Sequence, residues 1–286
     1  MKKTLSYPKK KRSFTFVTFS VLSVFCLLAA SWGYIFIAEN ASFFGLFTEE
    51  NYLFAKKFLS SLAGIGDNDP AFTNKESWIH ALKLTYETLQ MSVMAAGFAT
   101  VTALLTVIPA DRNVADGTLT LSKRWYRWIL FWIIRGIYVF SRAIPELVWA
   151  MVIVFILKPG ILPGALALAL HNFGILGKLF AEIIEDIDMK PIRNLASSGA
   201  SNAQILFYGV IPAVMPKFLT YILYRWEVIM RTSIIVGFVG AGGLGQQFKL
   251  SMSFFNYTDI TLILICYLIL VAIADAISEG FRRAAR

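Results

Sequence analysis

EDIDMKPIRNLASSGASNAQILFYGVIPAVMPK, residues 185–217, lies between two long apolar stretches and is too long for a simple turn between them. Pro191 suits the first turn of a short helix, because the amide it lacks would have no partner there. That helix is broken near Gly199, and the small residues Ala196, Ser197, Ser198, Gly199 and Ala200 leave a surface poor in side chains. Ser201 can cap a second piece by accepting an amide from its first turn. Pro212 and Pro216 then redirect the chain toward the next apolar stretch. On composition alone the segment is equally a plain surface loop and a shallow face into which another protein packs.

A helix that crosses a hydrocarbon core of roughly 30 Å needs about 20 mostly apolar residues. Six stretches meet that requirement: residues 14–37, 84–109, 129–157, 164–184, 218–243 and 260–278. The 286-residue chain is 57% hydrophobic and 16% charged, against about 25% charged in soluble domains. That balance excludes an ordinary soluble enzyme and predicts an all-α integral membrane protein with six transmembrane helices. The basic start MKKTLSYPKKKR resembles the head of a secretory signal, but the apolar run after it is too long for one and reads as an uncleaved anchor.

The net charge of +9 fits nucleic acid or a membrane surface, and its placement decides between them. With the amino terminus inside, the inner segments hold 16 Lys and Arg and the outer ones six. Net charge is then +10 inside, −1 outside and zero in the spans. The excess is an orientation signal that puts both termini in the cytoplasm, and nothing in it requires nucleic acid. The organisation that follows is a basic tail and anchor helix (1–37), an extracytoplasmic loop (38–83), a transmembrane domain (84–278) enclosing the 185–217 loop, and a cytoplasmic tail (279–286). In the outer loop, Phe47, Phe54, Phe58 and Leu62 fall near helical spacing before the breaker GDNDP. They predict an interfacial helix on the outer leaflet, which an extracytoplasmic partner can also reach.

Polar exceptions inside the spans carry the chemistry. Pro145, in AIPELVW, lacks an amide and clashes one turn back, so the third stretch breaks near its middle. Broken backbone in a membrane is tolerated only against protein or a wet cavity. Arg135, Arg142 and Glu146 flank the break, and Arg225, Glu227 and Arg231 mark the fifth stretch. Such charges line a pathway or form buried pairs, here Arg142 with Glu146 and Arg225 with Glu227. FVGAGGLG at 238–245 lacks the strand and lysine of a nucleotide loop, so Gly240, Gly242 and Gly243 read as close packing or a bend. Cys26, Cys266, His80 and His171 are isolated and give no redox or metal signal, the histidines reading as incidental interfacial residues. Glu182, Glu185, Asp186 and Asp188 are a solvated helix end or, alternatively, metal ligands of a membrane lipid phosphotransferase. An ion channel is disfavoured, because the chain has no filter-like repeat.

SSGASNAQILFYGVIP, with Gly199 thirteen residues before Pro212, resembles the cytoplasmic coupling loop of binding-protein-dependent ABC importer permeases. YETLQMS, ADRN, SRAIPELVWA, GKLFAEIIEDID and YRWEVIMRTSIIVGFVGAGGLG, in the same six-span order, are similar to the permease of phosphonate importers over roughly residues 80 to 280. The resemblance implies a type I ABC importer permease (MetI-like) fold in the cytoplasmic membrane of a prokaryote. It places Arg193, Ala196, Gly199, Ala200 and Pro212 in the loop that meets the ATPase. Arg193 and Asn194 stand where the family has Glu and Ala, which removes the usual acidic contact. Arg142, Pro145, Glu146, Arg225, Glu227, Arg231, Gly240, Gly242 and Gly243 would then lie along the route. The chain has no GxxxxGK[ST] loop, so ATP and Mg belong to a separate ATPase and no cofactor is expected here. An extracytoplasmic solute-binding protein and a second permease, copy or paralogue, complete the implied assembly. The implied cargo is phosphonate or a related small phosphorus oxyanion, which arginine holds well. Methionine or another oxyanion is the alternative, since permeases for these share the loop.

Overall fold

The structure is a computed structural model that describes residues 16–38, 44–119 and 124–284. Every regular element among them is helical. The chain falls into two units, Met1–Ser60 and Ser61–Arg286. The first holds α1 (Phe16–Ala38), apolar around its circumference, a short turn of tight helix at Phe44–Phe47, and most of α2 (Glu49–Leu62). Glu49 and Glu50 sit in the first turn of α2, where the helix dipole favours negative charge. Phe54, Phe58 and Leu62 lie on this helix.

The second unit contains α3 (Lys75–Val107), α4 (Arg112–Ala115), α5 (Trp125–Ala143), α6 (Glu146–Leu157), α7 (Ile161–Glu185) and α8 (Met189–Ser197). It continues with α9 (Asn202–Gln204), α10 (Ile211–Val236), α11 (Gly243–Ser253) and α12 (Tyr257–Ala284). Among the described residues five helical segments are long and apolar enough to cross a membrane, or six where α5 and α6, bent by 93° between them, count as one broken span. Each of the six expected stretches is helical. Their ends differ: α3 starts early because Asn74 accepts the Glu76 amide at 2.9 Å, and α12 runs on to residue 284.

Helix α7 is the hub, packed along α3, α5, α6 and α10. Membrane helices gain little from hiding apolar surface from one another, so close backbone approach through small residues decides their contacts. Gly164, Ala165, Ala167, Ala169, Gly174, Gly177 and Ala181 supply that surface on α7, and Ala95, Ala99 and Ala103 supply it on α3. Tyr138 of α5 lies over Gly174 and Gly177, and its hydroxyl meets Thr106 of α3 at 2.8 Å. Phe180 of α7 stacks on Phe218 of α10 with 4.1 Å between ring centroids.

Arg135 does not stand at the helix break. It pairs with Glu185, the last residue of α7, and donates to the Ala110 carbonyl at 2.9 Å. Glu185 also accepts the Arg112 amide at 3.0 Å, while the Asn113 amide covers the Ile184 and Glu185 carbonyls at 3.4 and 3.3 Å. These bonds satisfy end groups of α7 that have no partner within the helix. Beside them Asp111 is completely buried; one carboxylate oxygen caps α4 through the Val114 amide at 3.0 Å and the other has no hydrogen-bond partner among the described residues. Burial pushes the Asp111 carboxyl up to about 7, helped by the charge of Glu185 and opposed by the Val114 and Asn113 amides and by Arg135.

A carboxyl raised in the fold favours the native state below its unfolded pKa, and that contribution drains away as pH climbs to the folded value. The window here runs from about pH 4 to about pH 7. Asp111→Asn, which keeps the capping oxygen and carries no charge, is expected to remove this pH dependence. Melting temperatures in detergent at pH 5.5 and 8 check it: the native chain should lose more stability between them than the variant does.

Candidate translocation site and coupling loop

Pro145 ends α5 as the sequence requires, and two carbonyls at the break find side-chain partners. The Ser141 carbonyl would have bonded the amide that proline lacks; instead it accepts the Trp149 indole N–H at 2.9 Å. The Ile144 carbonyl is met by Nδ1 of His171 at 2.8 Å, and the Ser141 hydroxyl donates to the Leu170 carbonyl of α7. The break is thus held against protein. His171 is consequently not an incidental interfacial residue. Its signal was available in principle: a proline in a span leaves carbonyls that some nearby donor must satisfy. Nε2 of His171 lies 3.8 Å from Glu146. His171→Leu leaves a part-buried carbonyl unpaired and is expected to destabilise the protein by about 1–2 kcal/mol, read as a lower melting temperature in detergent.

The charges of the spans pair differently from the neighbours suggested by sequence. Glu227 is taken by Arg282 at 2.6 Å, and Arg231 holds both oxygens of Asp275 at 2.8 and 2.9 Å. Arg225 forms no pair with Glu227, nor Arg142 with Glu146; among the described residues neither arginine has a carboxylate within ion-pair distance. Arg225 instead donates from Nε, at 2.9 Å, and from Nη2 to the side-chain oxygen of Asn172. Asn172 is fully buried and its amide donates to the Leu168 carbonyl at 2.8 Å, which fixes the oxygen toward Arg225. Glu182 pairs with Lys178, Glu185 with Arg135, and Asp188 caps α8, so these acids do not converge on one site.

Residues 237–243 are a bend rather than the end of a straight span. A π turn at Gly237–Ala241 closes α10, and the Gly240 carbonyl accepts the Gly160 amide at 3.1 Å, tying the bend to the α6–α7 connection. Gly243, at φ +64°, lies against Thr88 of α3, whose hydroxyl accepts the Leu244 amide at 2.9 Å. Gly240, Gly242 and Gly243 therefore bend and pack closely, as their composition suggested.

In the inner loop, α8 begins at Met189 rather than Pro191, because Asp188 accepts the Lys190 amide at 3.0 Å and a side-chain cap outweighs the proline signal. The helix ends at Gly199, whose φ of +83° lets its amide reach the Ala196 carbonyl at 3.0 Å and the Ala200 amide reach Leu195 at 3.1 Å. Ser201 and Gln204 form a reciprocal capping box. Ile192, Ile205 and Val210 are buried beneath the loop, while Arg193, Ser197, Ser198 and Gly199 face outward. Phe207 and Tyr208 are also exposed, and sequence reasoning missed this aromatic flank. Pro212 and Pro216 do not redirect the chain, which stays helical from Asn202 to Val236. The π turn at Ile205–Val210 widens the ladder just ahead of Pro212 and accommodates its missing amide.

This helical arrangement is an importer-permease fold: it matches the MetNI methionine ABC transporter in an inward-facing conformation with a TM-score of 0.63 at 20% identity, over 74% of this chain and 99% of that one. Residues 117–286 match the family described as the binding-protein-dependent transport system inner membrane component, and the chain belongs to that family. It is 36% identical over 214 residues to the phosphite transport system permease protein PtxC of Stutzerimonas stutzeri, covering 75% of this chain and 73% of the relative. It is also 34% identical over 118 residues to the putative cryptic phosphonate transport system permease protein PhnE2 of Escherichia coli strain K12, covering 41% of this chain and 97% of that one. The chain is a multi-pass prokaryotic membrane protein whose relatives are transport permeases, not enzymes.

Proposed function

We propose that the chain is the permease subunit of an ABC importer that carries phosphonate or a related small phosphorus oxyanion inward across the cytoplasmic membrane. The observation that carries this reading is the similarity to a phosphite permease over about three quarters of both chains. Both termini face the cytoplasm, in keeping with the +10 charge of the inner segments. An extracytoplasmic binding protein delivers the solute, and a second permease, copy or paralogue, completes the path. Arg142, Pro145, Glu146, Arg225, Gly240, Gly242 and Gly243 belong to the region that lines or shapes it.

A separate cytoplasmic ATPase binds ATP and Mg and receives the α8–Gly199–α9 face, with Arg193, Ala196, Ala200 and Pro212 around it. The loop is joined to α7 by only Asp186–Asp188 and to α10 by unbroken helix. Closure of an ATPase pair on this loop would move both helices at once. Those helices carry His171, Asn172 and Arg225, so the motion reaches the helix break without a further relay. A host strain lacking the gene tests the cargo. It should lose growth on phosphonate or phosphite as the only phosphorus source and regain it with the gene; unchanged growth on both contradicts the reading.

A further inference from the structure

Five positive side chains lie within the expected spans: Arg135, Arg142, Lys178, Arg225 and Arg231. Arg135, Lys178 and Arg231 each hold a carboxylate; Arg142 and Arg225 have none within ion-pair distance among the described residues, and of these two it is Arg225 whose guanidinium is held in place by side-chain hydrogen bonds. Arg225 is half-buried and bonded only to a neutral amide, so its charge is uncompensated at contact distance. Unpaired charge is rare in such surroundings because the lost hydration is not repaid. We infer that Arg225, seated on Asn172, is the intramembrane contact for the cargo, holding a small tetrahedral oxyanion on the guanidinium edge that Asn172 leaves free. This rests on the oxyanion-importer reading above.

The geometry favours this role. Asn172 takes Nε and Nη2 on one oxygen, and its own amide is locked on Leu168, so the guanidinium plane is fixed before any ligand arrives. Nη1 has no hydrogen-bond partner among the described residues. A planar fork with a free edge is the shape that receives two oxygens of one anion. Glu146, at the first turn of α6, acts on Arg225 by its charge without closing to ion-pair distance. Its pull competes with the anion, which keeps the contact weak enough for release, as a conduit requires. Asn172 is the positioning residue of this site and was not singled out by sequence.

The test uses the permease, its ATPase and its binding protein in proteoliposomes, with labelled phosphite and methylphosphonate as probes and ATP hydrolysis measured in parallel. Arg225→Gln should lower uptake about tenfold or more, the loss expected for a hydrogen-bonded charge contact, while binding-protein-stimulated hydrolysis continues. Asn172→Asp should lower uptake as strongly, because a carboxylate there occupies the guanidinium and draws off its charge. A purely structural role for Arg225 predicts the reverse, since the new ion pair strengthens the α7–α10 contact and leaves uptake intact. Asn172→Asp also keeps the test readable where loss of the guanidinium impairs assembly. Native uptake by both variants overturns the site. Uptake of neither probe by the unaltered complex overturns the cargo reading itself, and is told apart because it precedes any substitution.

Discussion

Gly199→Trp is expected to reduce uptake on the order of a hundredfold, the equivalent of about 3 kcal/mol of lost docking, with membrane insertion unchanged. Two effects combine at this position. The backbone sits at φ +83°, where a side chain costs roughly 1–2 kcal/mol, so the cap that ends α8 loosens. A Cβ built on Gly199 meets nothing within 4 Å, so inside its own chain the indole has room. The obstruction is therefore to whatever lies over the loop. Gly199→Asn, which tolerates the left-handed region and is small, should retain most of the activity and separate backbone strain from blockage. Copurification of the ATPase reports docking directly. A tryptophan variant that retains a full ATPase complement and native uptake refutes the assignment.

A large loss of stability is expected from substitution at Gly243. A Cβ there would lie 2.5 Å from the Thr88 hydroxyl and 3.3 Å from the Thr88 amide nitrogen, and φ is +64°. Gly243→Val adds a branched side chain to a left-handed position and drives it into α3. It also displaces the hydroxyl that satisfies the buried Leu244 amide. Overpacking, backbone strain and a lost buried hydrogen bond together should cost about 3–5 kcal/mol. Thermal unfolding in detergent checks this, with Gly97→Ala as the control, since a Cβ at Gly97 meets nothing within 4 Å in the middle of α3. The control should melt at or slightly above the native temperature. Equal melting of Gly243→Val and the native chain would contradict the close contact between the bend and α3.

Most of what depends on one stretch of chain was legible in the sequence. The spans follow from length and polarity, the break follows from the amide that Pro145 lacks, and Ser201 caps where its neighbours permit. Charge pairing is a different matter, because it joins residues 44 to 55 positions apart: Arg231 with Asp275, Arg135 with Glu185, Glu227 with Arg282. Sequence neighbours such as Arg225 and Glu227, two apart on a helix, face different directions. Which face meets which carboxylate depends on how α10 and α12 are rotated, and that is set by packing. The same reason hid Asn172, an ordinary polar residue in an apolar helix until α10 brings Arg225 across from it. Pro212 misled for a local reason, since a π turn ahead of a proline leaves little trace in composition.

ATP-dependent accumulation of labelled phosphite and phosphonate in proteoliposomes tests the importer reading most directly. The chain, with its ATPase and binding protein, should concentrate at least one phosphorus oxyanion, and omission of ATP or of the binding protein should abolish the uptake. Accumulation of methionine or another solute without phosphorus, with neither phosphorus compound taken up under the same conditions, would contradict it.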